Sequence, residues 1–250
     1  MVDIHSHILP GIDDGSESVE MSIQMLRDSM AQGVDTVIST SHCYLREESD
    51  IDAFLEKRQK SYDILTKAVQ KEKNPLPKIR LGAEVRIEND VSRFKNLEKL
   101  CIEGTNYILI EMSYSKWHQS VYDALYSMTL KNMRPVMAHI ERFFANEKEF
   151  ENLRDIDLAY QINADSFLNP ADRKAVAYLL RRGMANVIGS DMHNTTVRVQ
   201  RLKAAYEKIE KDFGSECARY FEQNSYSIPN NEYLEYSGFK KLGFFEKRRK

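Results

Sequence analysis

The stretch "DIHSHILPGIDDG", residues 3–15, brings two histidines and two aspartates close together in the sequence. In a β-strand, residues i and i+2 point to the same side, so His5 and His7 would project together. After the Pro-Gly turn that follows, Asp13 or Asp14 could return to them. This is the geometry of a metal site, although solvated histidines on an exposed strand have the same spacing. The rest of the chain has to decide between these interpretations.

Seven short apolar runs alternate with longer amphipathic stretches along the chain. The runs cover residues 2–7, 35–42, 78–84, 106–111, 134–139, 158–163 and 185–191. Helical patterns cover residues 16–32, 51–71, 119–131, 148–153, 172–182 and 198–213. Strands that alternate with helices are typical of βαβ units, which build a parallel sheet. No repeat or Pro/Gly-rich linker divides the sequence, so we predict a single α/β domain.

The composition of the 250-residue chain excludes several classes of protein. Basic and acidic residues nearly balance, 36 against 38, so no overall charge points to nucleic acid. The three cysteines contain no C-x-x-C pair and are too few for a disulfide scaffold. No apolar run approaches the ~20 residues that span a bilayer, and no signal-peptide pattern is present. We therefore expect a cytoplasmic protein that binds no nucleic acid.

The apolar runs end in residues that can bind a metal, and five of the six histidines lie at these ends. Because parallel strands of a barrel bring their carboxyl ends to one rim, these side chains would converge there. The alternative is that strand ends are simply where polar residues begin, but that does not select His, Glu and Asp so consistently. With Asp14 added, the candidate metal ligands are His5, His7, Asp14, His42, Glu84, Glu111, His139, Asp191 and His193. A further run ends in Asn163.

This ligand set combines imidazoles and carboxylates without sulfur, which suits Mn, Fe, Zn or Mg. A tetrahedral zinc site is filled by four ligands, so nine candidates predict two or three divalent ions with a bridging carboxylate. Three divalent ions would carry two more charges than the four carboxylates neutralise. Such a surplus would attract a phosphate dianion.

Two arginines follow the candidate ligands closely and favour the same substrate chemistry. Arg142 comes three residues after His139, and Arg198 comes five residues after His193. Guanidinium groups bind phosphate oxygens in a bidentate manner. Either arginine alone is also compatible with a helix cap or a solvated side chain. The presence of two such arginines favours a phosphate site, with Arg142 and Arg198 as candidate catalytic residues.

The motifs "DIHSHILPGIDDG", "STSH", "GAE", "YILIE", "MAHIERF" and "GSDMHN" together resemble the polymerase and histidinol phosphatase (PHP) family of metallophosphoesterases. Within that family the chain is similar to the manganese-dependent protein-tyrosine phosphatases of Gram-positive capsule and exopolysaccharide loci, the CpsB/YwqE type. The resemblance runs in order from residue 2 to about residue 225. It implies a distorted TIM-like (β/α)7 barrel over residues 1–225. A tail at residues 226–250, partly helical or disordered, would follow.

The resemblance also implies how the ligands divide among three ions, with Glu84 shared as a bridge. The implied sets are His5, His7, Glu84 and Asp191; Glu84, Glu111 and His139; and Asp14, His42 and His193. Asp14 and Glu111 stand where many PHP members have histidine, which favours the tyrosine-phosphatase subgroup. In that subgroup the positions of Arg142 and Arg198 bind phosphate.

The implied reaction is direct hydrolysis of a phosphomonoester. A metal-bound hydroxide would attack phosphorus in line, while the ions and both arginines stabilise charge on the equatorial oxygens. A tyrosyl leaving group has a pKa of about 10, so it needs less help to depart than a serine alkoxide. By the same resemblance, the substrate would be the phosphotyrosine-bearing tail of a bacterial tyrosine autokinase that regulates capsule or exopolysaccharide synthesis.

Other functions compete with this interpretation. A small-molecule phosphatase of the histidinol-phosphate type would use the same site. A metal-dependent amidohydrolase also begins with H-x-H, but such sites often use a bridging lysine where Glu111 stands here. A cysteine-dependent phosphatase would need arginine six residues after Cys43, and that position is Ser49. A non-enzymatic regulatory protein would be expected to have lost ligands, and none is missing.

The stretch "GFKKLGFFEKRRK", residues 238–250, interleaves aromatic and basic residues. One interpretation is weak contact with an anionic membrane surface, worth ~1 kcal/mol per basic residue near such a surface. The alternative is a disordered, solvated end, which is common at chain termini.

Overall fold

A computed structural model describes residues 1–88, 91, 93–114, 117–153 and 155–236. The stretch 238–250, for which the sequence leaves membrane contact and a solvated end as alternatives, lies outside the described residues. Within the described residues the β-strands are β1 Val2–Ser6, β2 Thr36–Ser39, β3 His42–Tyr44, β4 Lys78–Leu81, β5 Glu84–Ile87, β6 Tyr107–Met112, β7 Arg134–Met137, β8 Ala159–Asn163 and β9 Val187–Gly189. The α-helices are α1 Val19–Ala31, α2 Ser49–Val69, α3 Gln119–Leu130, α4 Ala164–Leu168, α5 Arg173–Arg182, α6 Leu202–Phe213 and α7 Ser215–Ser227. Turns of 3-10 helix cover Leu97–Leu100 and Ile140–Leu153.

All strand pairs are parallel, as the alternation of strands and helices predicts. They form a three-stranded sheet in the order β1-β2-β4 and a six-stranded sheet in the order β3-β5-β6-β7-β8-β9. The chain is therefore an α/β domain with parallel sheets. Its strands are buried along most of their length, as is usual when helices cover a parallel sheet.

Two of the predicted runs, 35–42 and 78–84, are each divided into two strands. The first is interrupted at Thr40, whose backbone N–H donates to Ser6 O at 2.8 Å. The second is interrupted at Gly82, whose N–H donates to Ser39 O at 2.8 Å. Backbone hydrogen bonds therefore continue across each interruption, and the chain passes from one sheet to the other there.

Backbone contacts also join the first strand to the residues that follow the last. Asp191 N donates to His5 O at 2.9 Å, and His7 N donates to Met192 O at 2.9 Å. Ser6 and Met192 form an isolated parallel bridge. We call this junction the seam. It brings the two histidines of the opening motif to the end of β9.

The helices pack their apolar faces against the sheets. α5 buries Val176, Leu179 and Leu180 at helical spacing, while basic residues occupy its last turn. The start of α1 is capped by Ser18, whose hydroxyl accepts from Met21 N at 3.2 Å. The 148–153 segment, predicted as a helix, belongs to the longer run of 3-10 turns.

α7 was not predicted from the sequence, and it spans the proposed boundary between residues 225 and 226. Beyond it, Ile228 and Leu234 are buried in a cluster with strand residues. Tyr107 Oη donates to Glu232 O at 2.6 Å and ties this segment to β6. The described part of the predicted tail is therefore packed. No helix among the described residues has the length and apolarity needed to span a bilayer.

Candidate metal centre

The nine residues predicted as metal ligands lie together: His5 and Glu111 are near the carboxyl ends of β1 and β6, whereas His42 and Glu84 begin β3 and β5, just after β2 and β4 have ended. β1, β3, β5 and β6 carry ligands directly, and His42 pairs in register with Glu84 across β3 and β5. His139 and Asp191 follow β7 and β9 with left-handed backbone angles, φ 33° and 53°. Non-glycine residues in this region cost about 1 kcal/mol or more, and such strain is often found at functional sites. We refer to these nine residues as the ligand cluster.

Glu84 lies at the centre of the ligand cluster and is completely buried. Its Oε2 is 3.3 Å from His5 Nε2, 3.2 Å from His7 Nε2 and 3.0 Å from His42 Nδ1. Its Oε1 is 2.8 Å from His139 Nε2. One carboxylate therefore faces four imidazoles, the position expected of a bridging ligand.

Asp191 provides a second focus of contacts. Its Oδ1 lies 3.5 Å from His5 Nε2, 3.6 Å from His7 Nε2 and 2.6 Å from Arg198 Nη2. Its Oδ2 accepts from Arg142 Nη2. Both candidate phosphate-binding arginines thus reach the same buried carboxylate, Arg142 from the 3-10 turns after β7 and Arg198 from the loop after β9.

Asp14 approaches from the open side, with 64% of its side chain exposed. Its Oδ1 is 3.4 Å from both His42 Nε2 and His193 Nε2. The neighbouring Asp13 turns away from the opening, and its Oδ2 accepts from His7 Nδ1 at 2.8 Å and from the His42 backbone N–H at 2.9 Å. The choice between the two aspartates, open in the first motif, is resolved geometrically: Asp14 faces the cluster and Asp13 orients one of its histidines.

Glu111 completes the cluster from β6. Its Oε2 is 3.8 Å from His42 Nδ1 and 3.7 Å from Arg86 Nη1, and its Oε1 is 3.9 Å from His139 Nε2. Burial and the charge of Glu84 raise its pKa. A positive charge placed between Glu84 and Glu111 would relieve this repulsion.

The pKa values of the histidines divide into two groups. Burial lowers the pKa of His139 to about 4, and burial together with His7 lowers that of His193 to about 3. Burial would also lower the pKa of His7, but the hydrogen bond to Asp13 and the negative charges of Asp13 and Glu84 outweigh burial and raise the value to about 10. A bound cation must displace a proton from such an imidazole, because only the neutral ring binds metals.

The carboxyl groups of Glu84 and Asp191 both have low pKa values. Burial alone would raise the pKa of Glu84, but His5 and the hydrogen bond from His139 hold it well below its usual range. Burial opposes ionisation of Asp191 as well, yet His5 and Arg142 keep its pKa low. Both side chains are therefore ionised across the physiological pH range.

The donor atoms present fit a divalent metal centre. Among the described residues, Glu84 Oε2, Glu111 Oε2 and His193 Nε2 are buried without a hydrogen-bond partner. Buried polar atoms are rarely left unpaired, so these three atoms fit ligands of a cation. Three groups have ligand atoms that all lie within 4.8 Å of one another: His7, Asp14, His42 and His193; His5, His7 and Glu84; and His42, Glu84 and Glu111.

Two amides lie behind the ligand cluster: Asn163, which the sequence places at the end of an apolar run, and Gln161, which was not identified as functional from the sequence. Gln161 Oε1 accepts from His5 Nδ1 at 2.9 Å and from the His139 backbone N–H at 3.0 Å. Its Nε2 donates to Asn163 Oδ1 at 2.7 Å, and Asn163 Nδ2 donates to Asp191 Oδ2 at 2.8 Å. This chain of hydrogen bonds connects three ligands. The signal available was a glutamine in the otherwise apolar run 158–163.

Two glycines allow the backbone to approach the opening motif. A Cβ on Gly189 would lie 2.5 Å from the Cβ of His5, and one on Gly15 would lie 2.4 Å from the Cβ of His7. No real side chain fits at such distances, so glycine is needed at both positions for the histidines to take their places.

A family model described as "Capsular polysaccharide synthesis, CpsB/CapC" matches residues 1–229. The tyrosine-protein phosphatase CpsB of Streptococcus agalactiae is 31% identical over 247 residues, which cover 94% of this chain and 100% of that protein. The tyrosine-protein phosphatase YwqE of Bacillus subtilis is 32% identical over 243 residues, which cover 93% and 92% of the two chains.

Solved structures give a consistent result. One match is to the crystal structures of YwqE from Bacillus subtilis and CpsB from Streptococcus pneumoniae, described as unique metal-dependent tyrosine phosphatases. Its TM-score is 0.81 at 28% identity, covering 95% of this chain and 98% of that chain. A β-aspartyl dipeptidase from Fervidobacterium islandicum has a TM-score of 0.51 at 14% identity, covering 91% and 74% of the two chains. This second likeness concerns the fold alone.

Proposed function

The chain belongs to the CpsB/CapC family of capsular polysaccharide synthesis, and on that premise we propose that it is a metal-dependent protein-tyrosine phosphatase. The observation that carries the proposal is the convergence of five imidazoles and four carboxylates on one buried cluster with two arginines beside it. Such a cluster can hold cations, and the arginines can hold a phosphate.

We propose that the strands close into a distorted (β/α)7 barrel. Counting β2 with β3 and β4 with β5 gives seven strands, which equals the number of apolar runs in the sequence. The seam between β1 and the end of β9 supports closure. A shared apolar cluster that includes residues of β1, β2, β6, β7, β8 and β9 also supports it, because side chains from both sheets meet there.

The ligand cluster is large enough for two or three divalent ions, and we propose manganese, with iron, magnesium or zinc as alternatives. The expected ligand sets are His5, His7, Glu84 and Asp191; Glu84, Glu111 and His139; and Asp14, His42 and His193. When bound, such ions lower the pKa of water towards ~7 and neutralise charge on a phosphoryl group.

The chain's own residues would bind and orient the substrate. Arg142 and Arg198 both contact Asp191, so their guanidinium groups are held at the edge of the ligand cluster before substrate arrives. Each retains donors that can bind phosphate oxygens. The complete burial of His5, His7 and Glu84 excludes bulk water beneath the phosphate. Electrostatic contacts are stronger in such an environment than in water.

The proposed substrate is the phosphotyrosine-bearing tail of a bacterial tyrosine kinase that acts in capsule or exopolysaccharide synthesis, and we place the protein in the cytoplasm. This proposal rests on the relatives' names and on the family's description. The division of the chain into a barrel over 1–225 and a tail over 226–250, and membrane contact by that tail, remain predictions.

The test is a phosphatase assay on the full chain. Protein stripped with a chelator and reloaded with Mn²⁺ should hydrolyse a phosphotyrosine peptide faster than the matching phosphoserine peptide or histidinol phosphate. Arg142→Lys and Arg198→Lys, which lose bidentate binding, should each lower kcat/KM by about 10- to 100-fold. Arg219→Lys, on the exposed surface of α7, serves as the matched control.

Three results would contradict the proposal. Activity that survives thorough chelation would exclude metal dependence, and activity unaffected by His5→Ala would exclude the ligand cluster. Faster hydrolysis of histidinol phosphate than of phosphotyrosine would favour the small-molecule phosphatase instead.

A further inference from the structure

Two exposed tyrosines lie beside the ligand cluster on different strands. Tyr44 ends β3, and Tyr114 follows β6; 54% of each residue's surface is exposed. Tyr126 on α3 is equally exposed, but no ring contact among the described residues links it to a histidine of the cluster, whereas Tyr44 contacts His42, and Tyr114 reaches His139 through Phe143. Tyr44 and Tyr114 are distinguished by the rings that support them.

Tyr44 stands directly above one of the candidate ligands. It follows His42 by two residues and projects from the same side of β3, so the two rings stack with centroids 5.5 Å apart and planes 27° apart. In the parallel register Tyr44 pairs with Arg86, and Arg86 pairs with Glu111. The Tyr44 ring therefore lies next to the carboxylates at the opening of the cluster.

Tyr114 is supported in a similar way by a buried ring. Its ring centroid is 5.2 Å from that of Phe143, and the Phe143 centroid is 6.2 Å from that of His139. Its hydroxyl is a hydrogen-bond partner of Arg142. A flat apolar surface is thus placed beside a guanidinium group that we assign to phosphate binding.

The depth of the cluster explains why these rings matter. His5, His7 and Glu84 have no exposed surface, so a phosphoryl group that contacts this part of the cluster would lie deeper than the exposed rings of Tyr44 and Tyr114. Tyrosine carries its phosphate on the far side of a phenyl ring, whereas serine carries it one carbon from the backbone. A phosphotyrosine whose phosphate is at the cluster would leave its ring level with Tyr44 and Tyr114.

We propose that Tyr44 and Tyr114 hold the phenyl ring of the substrate and thereby select aryl over alkyl phosphomonoesters. This specificity rests on the proposed phosphatase function and assigns its side-chain selectivity to two residues. Offset or edge-to-face contact with an aromatic ring favours an aryl substrate by about 2- to 12-fold for each ring.

The experiment compares Tyr44→Ala, Tyr114→Ala and the double variant with the wild type, all loaded with Mn²⁺. The ratio of kcat/KM for a phosphotyrosine peptide to that for the matching phosphoserine peptide should fall by about 2- to 12-fold in each single variant. If the two effects are independent, the double variant should lose about 5- to 150-fold. Tyr44→Phe keeps the ring and should retain most of the preference. Tyr126→Ala is the matched control.

Binding gives a readout that needs no turnover. The inhibition constants of phenylphosphonate and methylphosphonate should differ in the wild type and converge in the alanine variants. If either alanine variant fails to fold, as judged by its thermal unfolding, leucine at the same position keeps the volume and removes the flat ring.

The outcomes separate the two proposals. Wild type that hydrolyses phosphotyrosine, together with alanine variants of unchanged selectivity, would overturn the role of the rings and leave the phosphatase function intact. An equal loss on both peptides would also overturn it, because the residues would then only support the cluster. Wild type without phosphotyrosine hydrolysis would overturn the proposed function itself.

Discussion

Replacement of Gln161 by leucine removes an acceptor shared by two residues of the ligand cluster. The Gln161 side chain is completely buried in β8, and its Oε1 receives hydrogen bonds from His5 Nδ1 and from the His139 backbone N–H. Because His5 donates through Nδ1, the neutral form of its ring presents an unprotonated Nε2 to a metal, on the side that faces Glu84 and Asp191. Leucine has a similar size but cannot accept either bond.

The structure sets the size of the expected effect. Each buried donor that loses its only acceptor costs about 1–3 kcal/mol, so the two donors together should lower the free energy of unfolding of the metal-free protein by about 2–6 kcal/mol. The His5 ring would also lose the partner that fixes its tautomer. Loss of such a partner typically weakens metal binding by about 10- to 100-fold.

Urea-induced unfolding in the presence of a chelator measures the first effect, and titration of the stripped protein with Mn²⁺ measures the second. Gln59→Leu is the matched control, because Gln59 is exposed on α2 and bonds only Asp63 among the described residues. Its stability should change by no more than about 0.5 kcal/mol. A Gln161→Leu variant as stable as the control, with wild-type affinity for Mn²⁺, would refute the reasoning.

Three further predictions follow from buried groups. Burial raises the pKa of each of the three cysteines to about 12, so at pH 7.5 the thiolate fraction is on the order of 10⁻⁵. Iodoacetamide should therefore leave phosphatase activity intact, and inactivation by alkylation would contradict this prediction. Burial raises the pKa of Glu141 to about 7 from a usual 4.5. The folded state therefore holds this proton to higher pH than the unfolded chain, and this group's contribution to the free energy of unfolding should fall by up to about 3 kcal/mol between pH 4.5 and 8. Glu141→Gln should remove that part of the pH dependence, and identical pH profiles would exclude it. Gly189→Ala places a Cβ 2.5 Å from the Cβ of His5, so it should lower the free energy of unfolding by about 1–3 kcal/mol and weaken Mn²⁺ binding. A variant with the unfolding midpoint and the Mn²⁺ affinity of the wild type would disprove this prediction.

The seven apolar runs could be recognised because burial on both faces leaves a continuous apolar signal in each strand. The division of two runs could not, because it depends on hydrogen bonds to neighbouring strands. The backbone N–H of Thr40 donates to Ser6 O, and that of Gly82 donates to Ser39 O. Neither hydrogen bond can be recognised from the residues next to it in the sequence. α7, in contrast, has a recognisable helical pattern in the sequence. Its buried residues recur at helical spacing: Cys217, Tyr220, Phe221 and Asn224.

The convergence of the nine candidate ligands was predictable because residue type and position agree: His, Glu and Asp follow apolar runs, and those runs form parallel strands. The residues that contact the ligand cluster from behind were harder to predict. Gln161 sits inside an apolar run, where a polar residue is easily taken for tolerated variation. Arg86 lies beside Glu111, yet its place follows only from the register of β5 with β6. Outer contacts of a metal centre depend on tertiary geometry, so sequence spacing does not encode them.

The seam gives a bound ion a mechanical role. There, two strands distant along the chain meet through a few backbone hydrogen bonds, and side chains from both strands belong to one set of ligands. An ion held between His5 and Asp191 would stabilise this junction, and it would raise the free energy of unfolding by about 2.7 kcal/mol when free metal is 100-fold above its Kd. In a cell starved of that metal, we expect the junction to open more often and proteases to remove the chain sooner, as digestion with and without chelator would reveal. Metal supply would then govern how many copies survive as well as how fast each one works.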